Sequence, residues 1–290
     1  MRVAMATSPS RTGVPNEDFV GATADGVVLL DGAGLYGTTS QCRHGVAWYA
    51  RRLGGALLTG LVDQDRDLAT ILDNAIAETA RAHADTCDVT DPGTPSATVV
   101  MLRLGSGYLQ YLVLADSVLV LDDGGDTPTV ITDDRVGRAA LAYRTAMEAE
   151  ATGTPEHDRA LRDYVEALRS QRNRPGGFWV AAADPSVVTE AITGQHQVDG
   201  LHSATLLSDG ASRICDLYGL ASWREILDLL DNHDPAELLR SLREVEASDP
   251  SGARWPRHKT HDDATMAHCS GLHEPADVRL FTVPARGPAR

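Results

Sequence analysis

Carboxylate side chains lie close to where short apolar runs begin or end in this sequence. The carboxylates placed in this way are Glu17, Asp18, Asp31, Asp209, Asp262 and Asp263. Carboxylates at strand ends can converge on one edge of a β-sheet, whereas those on helix surfaces are scattered in water. A single Asp-Gly pair after a strand is typical of a turn, but the whole set indicates a shared binding site.

A site with this many like charges needs a cation. Carboxylates cannot be buried together unless something neutralises them, and hard divalent cations with oxygen ligands do so. Gly32, which follows Asp31, leaves room for a backbone carbonyl or a water that a side chain would obstruct. The sequence therefore predicts a divalent-cation site.

The cysteines bear on which metal the site would hold. They are Cys42, Cys87, Cys215 and Cys269, and no two of them form a C-x-x-C pair. This spacing indicates neither a zinc knuckle nor a disulfide framework. Because we expect no histidines and cysteines to converge, the pattern favours magnesium or manganese over zinc.

Length and charge limit the classes of protein. The chain has 290 residues and a formal net charge of −15, and we expect one domain over 1–290. No dense Lys/Arg cluster is present, which argues against nucleic-acid binding. The first residues lack the apolar stretch of a signal peptide, and no run approaches the roughly 20 apolar residues that span a bilayer. We expect a cytoplasmic monomer that binds no membrane.

The hydrophobic pattern predicts strands and helices in separate blocks. A hairpin is predicted at 19–30, where two short apolar runs flank an Asp-Gly pair. Helical spacing then extends over 46–57 and 68–80. The runs "SATVVMLRL", "YLQYLVLA" and "SVLVLDD" predict an antiparallel meander. Blocks without strict alternation favour an α+β layered fold.

The second half of the chain is less regular. Residues of about 133–200 are polar and Arg-rich, and we interpret them as a helical surface insertion. Strands are predicted at "FWVAA" and "SATLLS". Helices are predicted to begin at "SWRE" and "DPAE", where a capping residue precedes glutamate by three positions. Two closing strands are predicted at "DDATMAHC" and "DVRLFTV".

Six motifs occur in an order that resembles a known family. They are "NED", "VVLLDGAG", "GTPSATVVMLRL", "LVLADSVLVL", "LLSDGAS" and "DDAT", spread over about 16–283. This order is similar to that of the metal-dependent serine/threonine protein phosphatases of type 2C. The resemblance implies a four-layer α/β/β/α sandwich, with two antiparallel sheets flanked by helices and a binuclear Mg/Mn centre at one end.

The resemblance also implies roles for individual residues. Asp31 resembles the carboxylate that bridges both metals, and Gly32 resembles the residue whose carbonyl binds one of them. Glu17 resembles an indirect metal ligand, with Asp18 beside it.

The remaining implied ligands lie farther along the chain. Asp209 and Asp262 resemble the ligands of the other metal, and Asp116 resembles an acidic residue that helps some members to bind a third ion. Two metals would hold a bridging water for in-line attack on a phosphomonoester.

The chain departs from the family at the residues that grip phosphate and deliver a proton. The family's phosphate-binding arginine stands just before N-E-D, whereas Arg11 lies five residues before Asn16. Arg43 is a substitute candidate. Ala33 replaces the histidine of the D-G-H-G-G motif, and His44 is the candidate replacement for the proton donor. The alternative is that Arg43 and His44 are solvated residues at a helix start.

Three functions remain open at this point. The first is a Mn/Mg-dependent phosphatase, whose substrate is phosphoserine or phosphothreonine in proteins or a small phosphomonoester. The second is a weak or inactive pseudophosphatase that acts as a regulatory binding module, in line with the departures above. The third is an unrelated metal-dependent hydrolase or a structural role. Any substrate specificity would reside in the insertion at 133–200.

Overall fold

Two five-stranded antiparallel sheets form the centre of the computed structural model, which describes residues 1–34, 42–257 and 259–272. In spatial order, the first sheet contains β1 (Arg2–Ser8), β12 (Ala264–Ser270), β11 (Ser203–Leu207), β8 (Val118–Asp122) and β9 (Thr129–Ile131). The second contains β10 (Ile192–Gln197), β7 (Tyr108–Leu114), β6 (Val99–Leu104), β3 (Gly26–Leu30) and β2 (Phe19–Ala22). A short ladder joins β4 (Gly32–Ala33) to β5 (Ser96–Ala97).

Helices cover the outer face of each sheet. The helices on the second sheet are α1 (Val46–Leu61) and α2 (Leu68–Arg81). Those on the first are α6 (Asp209–Asp216), α7 (Trp223–Leu230) and α8 (Pro235–Ser248). Between β9 and β10 the chain forms α3 (Arg135–Arg138), α4 (Leu141–Glu148), α5 (Pro155–Gln171) and a 3-10 helix, Pro185–Glu190. Within the described ranges, no helix combines the length and apolarity that a bilayer crossing requires.

Strand β3 shows how one sequence pattern serves two apolar layers. Every residue of β3 is buried, and successive side chains of a strand point to opposite faces. Val28 and Leu30 pack with α1 and α2, whereas Val27 and Leu29 pack between the two sheets. A strand that is buried on both faces therefore has a continuously apolar sequence. The predicted four-layer α/β/β/α sandwich is confirmed.

Several local predictions agree with the structure. Strands β2 and β3 form the predicted hairpin, and α1 and α2 lie over the predicted helical spans. Helix α7 begins with a capping box in which Ser222 and Glu225 each accept a backbone N–H. Asp234 caps α8 by accepting the N–H of Ala236. Capping chemistry is local, which is why the sequence predicts it well.

The meander prediction is wrong at its third strand. Strands β6 and β7 pair with each other, but β8 lies in the other sheet, between β11 and β9. The connection passes through Ala115, whose φ of 71° is in the left-handed region. That turn redirects the chain from one sheet to the other, and an alanine gives no sign of it.

Other strand predictions also differ from the structure. The "FWVAA" segment makes only isolated bridges, at Phe178 and Ala181, because it packs against β5 and the end of α5 without extending a sheet. Strand β1, which the sequence pattern did not indicate, pairs with β12 along its whole length. The predicted strand at 277–283 lies outside the described residues.

The polar segment of about 133–200 has its α-helices only in its first part, followed by the 3-10 helix and a strand. Helices α3 to α5 end at Gln171, and Ile192–Gln197 returns to the second sheet as its edge strand. Leu161, Tyr164 and Val165 of α5 pack against Met147 of α4 in a small separate core. The helical part therefore has its own apolar contacts beside the sandwich.

Two adjacent glycines of α1 predict opposite effects on stability. A methyl group at Gly54 would overlap the ring of Phe19, whereas one at Gly55 would meet open space. We expect Gly54→Ala to lower the free energy of unfolding by about 1–3 kcal/mol through overpacking. The matched Gly55→Ala should raise it by roughly 0.5–1 kcal/mol, because alanine favours an exposed helix interior. Urea unfolding measures both, and equal effects would contradict the packing.

Candidate metal centre

The register of the strands brings the acidic segments to one edge of the sandwich. In the second sheet Phe19 pairs with Leu30, which places the chain before β2 next to the chain after β3. In the first sheet Leu207 pairs with both Val118 and Met266. The ends of β11, β8 and β12 therefore lie together. Carboxylates that are far apart in sequence meet there.

Hydrogen bonds of its backbone hold Asp31 in place. Its N–H donates to Thr98 Oγ1 (3.2 Å) and its carbonyl accepts the Thr98 N–H (2.9 Å). The Thr98 hydroxyl is also bonded to the buried Ser117 hydroxyl at 2.6 Å. The backbone N–H of Asp209 donates to Asp31 Oδ2 at 3.3 Å. The side chain of Asp31 is thus directed at the first turn of α6.

Asp18 is the most unusual carboxylate of the site. It is 7% exposed, and neither of its side-chain oxygens has a hydrogen-bond partner among the described residues. Burial raises its pKa to about 7; the nearby hydroxyls of Thr265 and Ser208 oppose the shift, and the charges of Asp263 and Asp209 add to it. A buried carboxylate with two unsatisfied oxygens is costly unless a cation or a proton compensates it.

The neighbouring carboxylates show the same tendency. Burial raises the pKa of Asp31 well above its usual range, and the charges of Asp209 and Asp18 add to this effect. Burial and Asp209 raise the pKa of Asp116 to about 7. Burial also raises the pKa of Glu17, where Lys259 opposes the shift. These shifts identify one electrostatically coupled cluster.

Two glycines allow the strand ends to approach one another. A methyl group at Gly32 would overlap the carbonyl oxygen of Glu17, and one at Gly210 would overlap the carbonyl oxygen of Asp263. Each Asp-Gly pair therefore marks a close backbone contact between two acidic segments. The close contact explains why glycine stands at both positions, whereas a simple turn would not require it.

Basic side chains lie on one side of the cluster. Arg213 donates to Asp262 Oδ2 at 2.6 Å, and Lys259 Nζ lies 2.8 Å from Asp262 Oδ1. Burial lowers the pKa of Lys259, but the charges of Asp262, Asp209 and Asp31 outweigh burial and raise it. Lys259 therefore remains charged beside the carboxylates.

Buried Glu246 supports Arg213 from behind. It lies 3.6 Å from Arg213 Nη1, and it also accepts from Arg243 at 2.6 Å. Arg243 in turn donates to the backbone carbonyl of Asp262. This network fixes the segment that leads into β12 against α6 and α8.

Asp116 lies at the point where the chain crosses between the sheets. It follows the left-handed Ala115, and its carbonyl accepts from the Thr132 hydroxyl at 3.1 Å. Besides Asp209, the charge of Asp133 contributes to its raised pKa. The pKa of Tyr164 in α5 is raised by burial and by negative charges that include Asp116. Helix α5 is therefore close to this side of the cluster.

The donor atoms present fit a hard divalent cation. The clustered groups offer carboxylate and backbone carbonyl oxygens, which magnesium and manganese prefer. Asp18 has two buried oxygens without a partner, and burial together with like charges destabilises the ionised form of Asp31. A cation between these groups would relieve both conditions. The structure thus brings together the residues that the sequence assigned to one metal centre: Glu17, Asp18, Asp31, Gly32, Asp116, Asp209 and Asp262.

The sequence made Arg43 the candidate phosphate-binding residue and His44 the candidate proton donor, but neither has a described contact with the carboxylates. Arg43 is exposed, and no described hydrogen bond or ion pair joins it to a carboxylate. His44 Nδ1 lies 3.3 Å from Cys87 Sγ and 3.9 Å from Cys42 Sγ. Its ring stacks on Trp48 at 4.4 Å. The side chain of His44 is thus directed at two thiols and an indole ring.

The expectation that no histidines and cysteines converge is wrong. Cys42, His44, His83 and Cys87 form a group whose possible ligand atoms all lie within 4.8 Å of one another. The four residues come from the start of α1 and from the turn after α2. The two cysteines are 45 positions apart, and the signal in the sequence was the short spacing of each pair, Cys42 with His44 and His83 with Cys87.

Sequence reasoning also missed residues that support the carboxylates. Arg213 and Lys259 neutralise Asp262, and Asp263 accepts the backbone N–H groups of Ser10 and Glu17 at 2.6 and 2.7 Å. Lys259 is the only lysine of the chain, which was the one available signal. The spacing of Asp209 and Arg213, four residues apart on α6, carries no distinctive pattern.

Comparison with known proteins identifies the family. The model of the protein phosphatase 2C family matches residues 6–244. The chain therefore belongs to the protein phosphatase 2C family, which confirms the resemblance inferred from the six motifs. A search of curated proteins gives no significant match to the chain.

Solved structures with the same fold are distant in sequence. The Mycobacterium tuberculosis serine/threonine phosphatase PstP/Ppp is 16% identical with a TM-score of 0.54, covering 93% of this chain and 97% of that chain. The catalytic domain of PstP in complex with two manganese ions is 19% identical, with a TM-score of 0.55 and the same coverage. Stp1 from Staphylococcus aureus is 14% identical, with a TM-score of 0.57, covering 92% and 94%. At these identities the matches show a shared fold.

The raised pKa of Asp18 predicts a pH-dependent stability difference. Without divalent cations, the folded state keeps a proton on Asp18 up to about pH 7, whereas the unfolded chain releases it near pH 3.8. Between these two pH values Asp18 is ionised in the unfolded chain and protonated in the folded state, so rising pH lowers the free energy of unfolding. Relative to wild type, Asp18→Asn should gain stability between these two pH values, by at most about 1.4 kcal/mol per pH unit.

Urea unfolding in a chelating buffer over this pH range measures the difference. Asp73→Asn, which removes an exposed carboxylate of α2, is the matched control and should follow wild type. A constant difference between Asp18→Asn and wild type would contradict the burial of an unpaired carboxylate.

Proposed function

We propose that this protein is a Mn/Mg-dependent phosphomonoester hydrolase whose substrates are phosphoserine and phosphothreonine residues of proteins. Membership of the protein phosphatase 2C family supports the reaction class. The observation that carries the proposal is the cluster around Asp18 and Asp31, where burial and like charges raise the pKa of both carboxyls and the Asp18 oxygens have no hydrogen-bond partner among the described residues. A related fold binds two manganese ions.

The proposed ligands divide between two ions. Asp31 would bridge them, with the Gly32 carbonyl and Glu17 on one side and with Asp209 and Asp262 on the other. Asp18 would be the weaker neighbour of Glu17, and its buried oxygens, which have no protein partner, would face the first ion. Asp116 would contribute to a third, weaker site. When bound, the ions would supply charge for the phosphoryl oxygens and lower the pKa of a water between them.

The residues of this chain hold the site in shape before any substrate arrives. Thr98 fixes the backbone of Asp31, and Arg213 with Glu246 fixes Asp262. Side chains that are fixed in advance lose little entropy when they bind an ion. Mutual repulsion between Asp31 and Asp209 also makes the site attract cations.

Lys259 is our candidate for the phosphate-binding cation. Its ammonium group lies 2.8 Å from Asp262 and its side chain is 37% exposed, so it is accessible to an anion. It takes over the role that the sequence suggested for Arg43, which has no described contact with the carboxylates. His44 is not assigned as proton donor, because its ring faces Cys42, Cys87 and Trp48.

Substrate selection is assigned to the helical segment of residues 135–171 within a single domain. Burial and negative charges that include Asp116 raise the pKa of Tyr164 in α5. The Thr152 hydroxyl donates to the carbonyl of Arg257, in the segment that carries Lys259. The segment therefore borders the cluster on the side where a substrate would approach. A phosphoprotein is the proposed substrate, and a small phosphomonoester is the alternative.

A regulatory pseudophosphatase is the second candidate function. Lys259 and Arg213 already neutralise Asp262, so internal cations could take the place of one metal ion. In that case Lys259 would compete with manganese, and its removal would strengthen metal binding. The two functions therefore predict different results for the same variant: a raised KM for the phosphatase, and tighter manganese binding with an unchanged KM for the pseudophosphatase.

The bridging role of Asp31 predicts the loss of activity in Asp31→Asn. The substitution keeps the side-chain shape but removes the charge shared by both ions. Manganese-dependent hydrolysis of an aryl phosphate should fall by at least about 100-fold. Calorimetry should show weaker manganese binding, while Asp73→Asn should remain like wild type in both measurements. Activity in wild-type protein without any divalent cation would refute the proposal.

The proposed role of Lys259 predicts a change in substrate binding. Lys259→Gln should raise the KM for the aryl phosphate about tenfold at saturating manganese, because a charge-assisted hydrogen bond to phosphate is lost. Lys259→Arg keeps the charge and should retain most of the affinity. An unchanged KM with tighter manganese binding in Lys259→Gln would favour the pseudophosphatase.

A further inference from the structure

Two thiols and two imidazoles converge beside the start of α1. Cys42 Sγ lies 3.5 Å from His83 Nδ1 and 3.9 Å from His44 Nδ1, and Cys87 Sγ lies 3.3 Å from His44 Nδ1. All four possible ligand atoms lie within 4.8 Å of one another. These residues belong neither to the acidic cluster nor to the proposed chemistry.

These distances match the edges of a zinc coordination tetrahedron. With Zn–S of about 2.3 Å and Zn–N of about 2.0–2.1 Å, the sulfur and nitrogen ligands of one ion lie ~3.6 Å apart. The three measured sulfur–nitrogen distances, 3.3, 3.5 and 3.9 Å, bracket this value. The remaining separations are at most 4.8 Å, so side-chain rotations that shorten them would close the four atoms around an ion.

Local structure presents the ligands in pairs. Cys42 and His44 lie three residues and one residue before Gly45, the N-cap residue of α1, whose φ is 79°. His83 and Cys87 lie in the turn after α2, where the N–H of Cys87 donates to the carbonyl of His83 at 2.9 Å. Helical turns of this kind place residues four apart on one side. The contact between α1 and α2 brings the two pairs together.

The surroundings restrict the access of water to the group. Cys42 and His83 are buried, and His44 and Cys87 are partly buried. Trp48 of α1 covers the imidazoles, with its ring 4.4 Å from the His44 ring and 5.2 Å from the His83 ring. An apolar side chain that covers mixed sulfur and nitrogen ligands limits solvent access, which favours firm binding of zinc.

We propose that Cys42, His44, His83 and Cys87 bind one structural Zn²⁺ ion. Four protein ligands fill the tetrahedron and leave no position for water or substrate, which distinguishes a structural site from a catalytic one. Binding converts the two thiols to thiolates and releases their protons to solvent. The ion joins the N-terminal side of α1 to the turn after α2.

The ligand chemistry separates this ion from those of the acidic cluster. Thiolate and imidazole ligands select zinc, whereas the carboxylates around Asp31 select magnesium or manganese. A disulfide between Cys42 and Cys87 would account for the two sulfurs but not for the convergence of His44 and His83. The proposal does not depend on phosphatase activity.

Metal content of the purified protein tests the site directly. Wild-type protein, purified without added metal or chelator, should contain about one zinc ion per chain by inductively coupled plasma mass spectrometry. Cys87→Ser should lose most of this zinc and should melt at a lower temperature. Cys215→Ser is the matched control, since Cys215 is a partly buried cysteine outside the group, and it should keep the zinc.

Cobalt provides a second measurement that needs no variant. Wild-type protein reconstituted with Co²⁺ should show intense visible bands of tetrahedral cobalt and a near-ultraviolet thiolate-to-cobalt charge-transfer band. The oxygen ligands of the acidic cluster give neither signal. Added Zn²⁺ should abolish both bands, whereas excess Mg²⁺ should leave them unchanged.

Three results would overturn the proposal. They are wild-type protein without zinc and without the cobalt bands, zinc retained in full by a folded Cys87→Ser, and a Cys42–Cys87 disulfide found by mass spectrometry in the freshly purified chain. If Cys87→Ser does not fold, the zinc content and cobalt spectrum of wild type still decide the question.

Discussion

Repulsion between buried carboxylates is the constraint on which the rest of this structure depends. Asp18, Asp31 and Asp116 are held at one edge of the sandwich, where burial and like charge raise the pKa of each. Such an arrangement costs free energy in the absence of a cation. The fold therefore maintains a strained acidic edge, and the proposed binding of divalent cations would compensate this cost.

The two-sheet architecture makes that edge possible. Each sheet alone would place acidic residues at its own strand ends, and stacking the sheets brings the two sets together. The Gly32 contact joins strand ends of the second sheet and the Gly210 contact joins those of the first, and the hydrogen bond from the Glu17 N–H to Asp263 connects the two sheets at this point. Arg213 and Glu246 then fix the segment that carries Asp262. The scaffold limits how far the carboxylates can move apart, so their charge stays concentrated.

Hard and soft ligands are kept apart although they are close in sequence. The first group of proposed oxygen ligands ends at Gly32, and the sulfur and nitrogen ligands begin at Cys42. The thiols and imidazoles belong to the helix layer, packed against Trp48, whereas the carboxylates belong to the strand ends. Because softness decides which metal each set prefers, this separation lets the two proposed sites hold different ions. His44 illustrates the division, since its ring faces the soft set.

The sequence by itself determined the features that depend on local pattern and on motif order. Continuous apolar runs predicted the strands buried on both faces, Ser222 and Asp234 predicted helix starts, and six ordered motifs predicted the family, the sandwich and the acidic residues. Tertiary structure alone decided what depends on contacts between distant segments. It moved β8 to the other sheet through Ala115, placed Lys259 and Arg213 on Asp262, and joined Cys42 and His44 to His83 and Cys87. Proximity across tens of residues is set by packing of whole elements, and no local spacing encodes it.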